Sequence, residues 1–407
     1  WRPPAVMKRA PVGEPPRRGK RQHCTSLCDN GVSPEYFFEN GQRCVKPYFH
    51  VFQANAKARW FGRTVLDVML KEFSGKSKQY YQTAIEEGLI LVNSCKVTDH
   101  QVFKENDVLT HRMHRHEPPV RGDPVRVLHD SHDLLAVCKP ATMPVHPCGR
   151  YYFNSLVSIL RHEHNYMSLH PLHRLDRLTS GVVVLAKSSA MASDMIARLR
   201  SVDVHKVYVA EVEGRLDHSG TLIIDEPIVE VPAKLGVCRC GPTGKPAVTR
   251  VRVLRATPRG TLLECTPLTG RTHQVRVHLQ HAGHPIVEDP LYGRYAHPPS
   301  VQRALRGGEQ GGDHGGLQPA SAAAAAEGGD TGTGVTVMEE EEAEAARGAP
   351  AGEGEGEGEW CPHCAARVAV RGPVEQPLHL HARTYTWADH TFDAGCPPWL
   401  PADHEVQ

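Results

Sequence analysis

The sequence predicts an α+β protein with two folded units, and three observations predict it. Apolar runs come in pairs joined by short polar turns, the pattern of β-hairpins. Several strands alternate polar and apolar residues, as antiparallel strands with one wet face do. No glycine-rich phosphate loop joins a strand to a helix, which argues against a doubly wound parallel sheet. At 407 residues the chain has room for two cores plus tails, and composition places the borders.

Residues 1–50 read as a basic N-terminal extension, disordered in part, because residues 1–22 are Pro-rich and carry RRGKR at Arg17 to Arg21. Residues 51–118 read as a small unit of two helices followed by strands. Thr64 caps the first helix, whose Val65, Val68, Met69 and Leu70 make one apolar face. The second helix runs through YYQTAIEEG; Gly88 ends it in a left-handed conformation, and LILVN starts a strand. Lys71, Lys76, Lys78 and Lys96 decorate the unit. AIEEGLILVN followed by KENDV resembles the S4 domain, and that resemblance implies a module that grips RNA by shape and phosphate. Ser94 and Asn106 stand where S4 domains usually carry Gly, so a module that merely packs on the larger domain stays open beside it. Residues 119–125 fall inside EPPVRGDP and read as the linker, stiffened by proline and kept in water by its charges.

Residues 126–296 and 360–407 read as two parts of one larger domain, parted by residues 297–359, an insertion of Gly, Ala and Glu without apolar period. The domain opens with VRVLHDSHDLLAVCKP, a hairpin turning at Asp130 to Asp133 and ending in Lys139 and Pro140. LHRLDRLTSGVVVLAK follows at Leu172 to Lys187, with Asp176 between Arg174 and Arg177 on a loop that enters a buried strand, Val182 to Ala186. Cationic neighbours hold a carboxylate ionised, which suits a nucleophile or base at neutral pH. The same triplet suits an Arg-Asp-Arg salt bridge that caps a turn. Ser188 or Ser189 caps the next helix, whose Met191, Met195, Ile196 and Leu199 form a stripe. HKVYVAEVEG alternates, placing Lys206, Tyr208, Ala210 and Val212 on one face; if that face meets the Asp176 loop, a tyrosine ring lies beside the carboxylate.

Cys238 and Cys240 are expected in a hairpin turn. Leu262 to Cys265 reads as a strand, Thr269 and Gly270 as a turn, and Thr272 as the cap of a helix ending at Gly283. Arg271, just before that helix, has the reach to pair bidentately with Asp176. Arg276 and His278 serve either a phosphate contact or a solvated helix face.

The net charge of +1 hides two populations. Residues 301–360 hold 3 Arg against 13 Asp plus Glu, so the rest of the chain holds 44 basic and 33 acidic side chains. That basic balance suits a polyanionic partner. No apolar run approaches the ~20 residues that span a bilayer, so a soluble, intracellular protein is expected, its compartment (nuclear, cytoplasmic or mitochondrial) undecided. The chain begins at Trp1, so it reads as a possible fragment. Twelve irregularly spaced cysteines read as reduced thiols. CPHC at Cys361 to Cys364, with His379 and His381 downstream, offers part of a structural zinc site, but one CxxC without a second pair does not complete it.

Five blocks occur in order: HRLDRLTSGVVVLAK, KVYVAEVEG, GKPAVTRVRVL, the stretch Glu264 to Gly293, and LHLHART. Together they resemble the RluA-type RNA pseudouridine synthases, and the layout is nearest to a eukaryotic branch whose fungal members modify tRNA in the anticodon stem-loop. The resemblance implies a mixed, mostly antiparallel sheet with flanking helices, that is, the pseudouridine synthase fold. It also implies isomerisation of uridine in RNA, most readily tRNA, with mRNA and rRNA as further candidates. The family's catalytic aspartate falls on Asp176, the arginine of its RLD triplet on Arg174, its active-site tyrosine on Tyr208 and its buried arginine partner on Arg271. The resemblance implies a reaction for which no cofactor and no metal are expected, carried out by a monomer acting on RNA. A binding protein of the same fold that has lost catalysis is the alternative, against which the intact Asp, Tyr and Arg set speaks.

Overall fold

The computed structural model describes residues 33–73, 76–199, 204–231, 236–293, 376–387 and 390–400. The Arg17 to Arg21 tail, the acidic insertion of residues 297–359 and the CPHC stretch lie outside the described residues.

Inside the expected N-terminal extension the chain is already paired. Strands β1 (Tyr36–Glu39) and β2 (Gln42–Val45) form a hairpin, followed by β3 (Tyr48–Asn55). Helix α1 (Val65–Glu72) starts where expected, with the Thr64 hydroxyl accepting from the Asp67 N–H. Helix α2 (Lys78–Glu86) is capped by Ser77, and Gly88 follows at a φ of +71°, where a glycine costs least. Strands β4 (Ile90–Val92), β5 (Cys95–Lys96) and β6 (Val108–Arg115) complete a four-stranded sheet of order β3-β6-β4-β5. Trp60, Val65, Val68, Met69, Tyr81, Ile85, Ile90 and Phe103 form its core against the two helices.

The expected linker is not a free, hydrated segment. Val120–Arg121 is a short strand, β7, that pairs with β2, and Val120 is buried. Glu117 just before it is 6% exposed; its carboxylate accepts from the N–H groups of Tyr152, Phe153 and Asn154 at 2.8–2.9 Å and from the Tyr48 hydroxyl at 2.5 Å. Three convergent backbone donors stabilise a charge that would otherwise be costly to bury. Tyr36 donates to the Phe153 carbonyl and Arg43 pairs with Glu163, so the β1-β2-β7 sheet rests on the larger domain.

The larger domain comprises β8 (Arg126–Asp130), β9 (Leu134–Lys139), α3 (Leu156–His164), β10 (His170–Pro171), β11 (Ser180–Ala186), α4 (Ser189–Leu199), β12 (Val204–Glu213), β13 (Thr221–Asp225), β14 (Ile228–Glu230), β15 (Cys238–Cys240), β16 (Val248–Ala256), β17 (Gly260–Pro267), α5 (Gln274–His281), β18 (Leu380–Trp387) and β19 (His390–Asp393). Its central sheet runs β13-β16-β17-β12-β18-β11-β9-β8, with β10 on β11 and β19 on β18. Among the described residues β11·β18 is the parallel pair and the others are antiparallel, so the sheet is mixed and mostly antiparallel.

Both faces of the sheet's middle are covered. Val183 and Leu185 of β11, with Leu135 and Val137 of β9, pack on Leu156, Ile159 and Leu160 of α3. The alternate residues Val182, Val184, Leu134 and Ala136 pack with Ala192 and Met195 of α4. Burial on both sides explains why SGVVVLA is an unbroken apolar run, each Val or Leu contributing roughly 1.5–3 kcal/mol of transfer free energy. Ser188 caps α4, accepting from the Met191 N–H, but Ile196 is 40% exposed, so the stripe is narrower than expected. The cysteines Cys238 and Cys240 sit in a strand rather than a turn, paired with β14. Helix α5 starts later than expected: His273, not Thr272, holds the N-cap position, with a φ of +55°. Among the described residues no helix is long and apolar enough to cross a membrane.

Candidate active site

Asp176 lies on the loop between β10 and β11, and that loop is anchored from below. Leu175 packs into the core under α3, while Leu178 packs into the neighbouring core with Ala210, Leu263 and Val275. Lys139, fully buried, donates to the carbonyls of Pro140 (2.9 Å), Met143 (2.8 Å) and Arg177 (3.2 Å), tying the loop to the end of β9. Burial lowers the Lys139 pKa to about 7, with the nearby Asp176 charge opposing the shift.

The guanidinium that holds Asp176 belongs to Arg276. Its Nη1 donates to Asp176 Oδ2 at 2.9 Å, while Nε and Nη2 grip Asp289 bidentately, also at 2.9 Å. Arg276 is 3% exposed and Asp289 fully enclosed; the Asp289 carboxylate also accepts from the N–H groups of Leu291 and Tyr292. Desolvation works against the charged Arg276, but Asp289 and Asp176 outweigh it and keep the guanidinium charged. Arg271, expected to hold Asp176, instead donates Nε to the Pro246 carbonyl at 3.0 Å. The cause is the helix start: Arg271 stays in the turn at the cleft's rim, and Arg276, within the first turn of α5, faces the carboxylate. The turn itself is set by Gln274, whose Oε1 accepts from the Thr269 hydroxyl and the Arg271 N–H.

Desolvation pushes the Asp176 pKa up, but His273, Arg276 and Arg174 together hold it below the usual carboxylate range, so the group is ionised at neutral pH. His273 Nε2 stands 3.8 Å from Asp176 Oδ2, and Nδ1 meets the Tyr292 hydroxyl at 2.8 Å. Burial lowers the His273 pKa despite the adjacent carboxylate, so at neutral pH the ring is uncharged and Arg276 and Arg174 hold the Asp176 charge, His273 adding to it only in acid. Among the described residues Asp176 Oδ1 makes no hydrogen bond, and it is not buried. It faces a cleft of ≈ 520 Å³, open mouth included, lined also by Arg174, Lys206, Tyr208 and Arg271.

Tyr208 reaches this cleft because β12 carries it on the same face as Lys206, and a bulge between Val207 and Tyr208 shifts the register against β18. Burial, and then the Asp176 charge, raise the phenol's pKa, so Tyr208 stays protonated. Arg174 is exposed at the mouth.

The RNA pseudouridylate synthase family model matches residues 133–281, which include Lys139, Asp176, Tyr208 and Arg276. RNA pseudouridine synthase 7 of Arabidopsis thaliana is 39% identical over 63% of this chain and 67% of its own length, and the tRNA pseudouridine(31) synthase of Saccharomyces cerevisiae is 33% identical over 63% and 74%. This chain belongs to the RNA pseudouridylate synthase family. The pseudouridylate synthase RPUSD2 of Mus musculus is 43% identical over 70% of this chain and 52% of its own length, so the chain spans about half the length of that relative.

Of the residues expected from sequence, the structure brings Arg174, Asp176, Tyr208 and Arg271 to one cleft in this family member, but it pairs Asp176 with Arg276. Lys206 and His273 also line the cleft, and Lys139 and Asp289 support it, without a local sequence motif that marks any of the four. A signal did exist for Arg276: THQVRVHL interleaves Val275, Val277 and Leu279 with polar residues, and a helix buried almost all round has to pair its cations internally. The two histidines downstream of the CPHC stretch have partners of their own. His379 Nδ1 lies 2.6 Å from Glu211 with its ring stacked on Trp399, and His381 Nδ1 is 2.8 Å from the Ser180 hydroxyl. Among the described residues no group of three His, Cys, Asp or Glu could hold a metal ion.

Proposed function

We propose that this chain isomerises uridine in RNA, with tRNA as the favoured substrate, to pseudouridine, and that Asp176 is the catalytic residue. The observation that carries this reading is a carboxylate kept ionised by Arg276, with one oxygen left toward a cleft shared with Tyr208. The family membership and the tRNA named for the yeast relative support it.

The reaction breaks the bond between uracil N1 and ribose C1′, turns the base, and joins C5 to C1′. The proton on C5 leaves to solvent and N1 gains one, so no redox partner or donated group enters. Two routes use the same carboxylate: attack of Oδ1 on C1′, or removal of the ribose 2′ proton so that uracil is eliminated. Both require Asp176 ionised, which Arg276 secures. Tyr208, protonated at neutral pH, stacks its ring on the uracil. Arg174 at the mouth and Arg271 at the rim hold the displaced nucleotide, whose base has to leave its stack to reach a recessed carboxylate. The N-terminal unit, with Lys71, Lys76, Lys78 and Lys96, grips the RNA beyond the cleft.

The test is tritium release from RNA labelled at uridine C5, on total tRNA and on messenger RNA pools. Release from tRNA is expected with the wild-type chain and none with Asp176→Ala, while RNA affinity changes by less than about 1 kcal/mol because binding is spread over many phosphates. Equal release by both proteins would remove Asp176 from the chemistry. No release from either pool, with binding intact, would favour a binding protein.

A further inference from the structure

Lys206 stands two residues before Tyr208 on the same face of β12 and lines the cleft with Asp176. Its cross-strand partner is Tyr385 of β18, and the ammonium lies 5.5 Å from the centre of that ring. Tyr385 is in turn stacked with His173, ring centres 4.4 Å apart and planes 10° from parallel. His173 Nε2 accepts from the Val184 N–H, so this imidazole is a neutral platform and not a competing cation. The lysine therefore has an aromatic floor. It has no counter-ion: among the described residues it makes no hydrogen bond and no ion pair.

That is an unusual state for a partly buried ammonium, which normally finds an acid or a set of carbonyls. Lys139 in the same domain shows the ordinary solution, three carbonyl acceptors, and Arg276 shows the other, two carboxylates. A cation held at a cleft without a protein partner matches an anion that arrives from outside. Uracil and ribose are neutral at pH 7; the anionic parts of a nucleotide in RNA are its backbone phosphates.

We propose that Lys206 is a phosphate-binding residue of this cleft: its ammonium takes a backbone phosphate beside the uridine that enters and so anchors the bound nucleotide. This rests on the RNA reading above. Arg174 and Arg271 grip from the mouth and the rim, whereas Lys206 acts from the strand that also carries Tyr208, so phosphate and base are placed by one rigid element.

The experiment compares wild type, Lys206→Met and Lys206→Arg with total tRNA. It follows tritium release for kcat and KM, and filter binding between 50 and 200 mM salt, with a thermal melt of each protein to show that it is folded. The expected result for Lys206→Met is a KM raised about tenfold, the equivalent of ~1.4 kcal/mol, with the loss carried by KM rather than kcat. The slope of log affinity against log salt should shallow by about 0.7–0.9, the release of one phosphate contact, and Lys206→Arg should restore both. A kcat loss with an unchanged salt slope, or an Arg variant as impaired as the Met variant, would overturn the proposal by making Lys206 a proton carrier or a packing group. If wild type binds tRNA but releases no tritium, the isomerase reading falls, and the salt slopes still decide the lysine.

Discussion

Asp176, Arg276 and Asp289 act as one charge system, and its parts are not interchangeable. Asp289 has no exposed surface and accepts two hydrogen bonds from Arg276, so truncating the arginine strands a buried carboxylate. Arg276→Ala is expected to lower unfolding free energy by about 3–5 kcal/mol and to remove turnover, read by urea titration and tritium release. Arg271→Ala, which gives up one bond to the Pro246 carbonyl at the rim, should cost less than about 1 kcal/mol and weaken RNA binding instead. Comparable losses of stability in the two variants would contradict this division. The sign of the pH effect follows from the same geometry. The folded pKa of Asp176 lies below its unfolded value, so its pairing stabilises the fold above the unfolded carboxylate pKa, ~3.9, and that stability is lost as pH falls through the folded value. Asp176 therefore stays ionised through neutral pH, and an acid limb in kcat/KM between pH 5 and 7 would have to belong to another group.

At the scale of elements, the site depends on how closely β11 and β18 run. Gly181 has a φ of +119°, and a Cβ there would lie 2.2 Å from the Ala382 carbonyl oxygen. Backbone cannot yield as a flexible side chain can, so Gly181→Ala should cost at least ~3 kcal/mol and pull β18 away from β11, lowering the melting temperature by several degrees. A variant that melts with the wild type would show that this contact is looser. The same pair marks the limit of what the chain reveals by itself. Thr64 as a cap, Gly88 as a stop and the alternation that puts Tyr208 on one face are local signals, and each was legible because it needs only neighbouring residues. The β11·β18 pairing joins residues near 180 to residues near 381, across the insertion, and no periodicity reports it. Arg276 is only faintly legible for a related reason: helix period separates a wet face from a dry one, and in α5, dry on nearly every side, the spread of Val275, Val277 and Leu279 round the helix is the one local sign. Glu117 looks like a hydrated linker charge in the sequence because its three backbone donors, 35–37 residues away, have no sequence signature.

For the whole molecule, Glu117 couples the two units, and two buried histidines and one half-buried one are expected to set the acid limit. Glu117→Ala leaves three N–H groups at residues 152–154 and the Tyr48 hydroxyl without an acceptor, so a loss of about 3 kcal/mol or more is expected, with exchange protection falling at both β3 and residues 152–154. The histidines act over the whole fold. Burial lowers the pKa of His111 to about 4 and of His173 and His381 to about 3, with Lys76, Lys206 and the Arg126–Arg383 pair respectively adding to the shift. Each ring is neutral when folded, while in the unfolded chain each titrates near ~6.5. Between those values the unfolded state binds more protons, so stability falls as pH drops below about 6.5. Three rings together remove roughly 3–4 kcal/mol between pH 7 and 5.5, one ring lying in each of the small unit, the site and the central sheet. Urea titrations at pH 7.5 and 5.5 should show that loss as a lower midpoint, and His111→Gln, which spares the site, should recover about a third of it. Equal midpoints at the two pH values would mean that the folded protein accepts these protons.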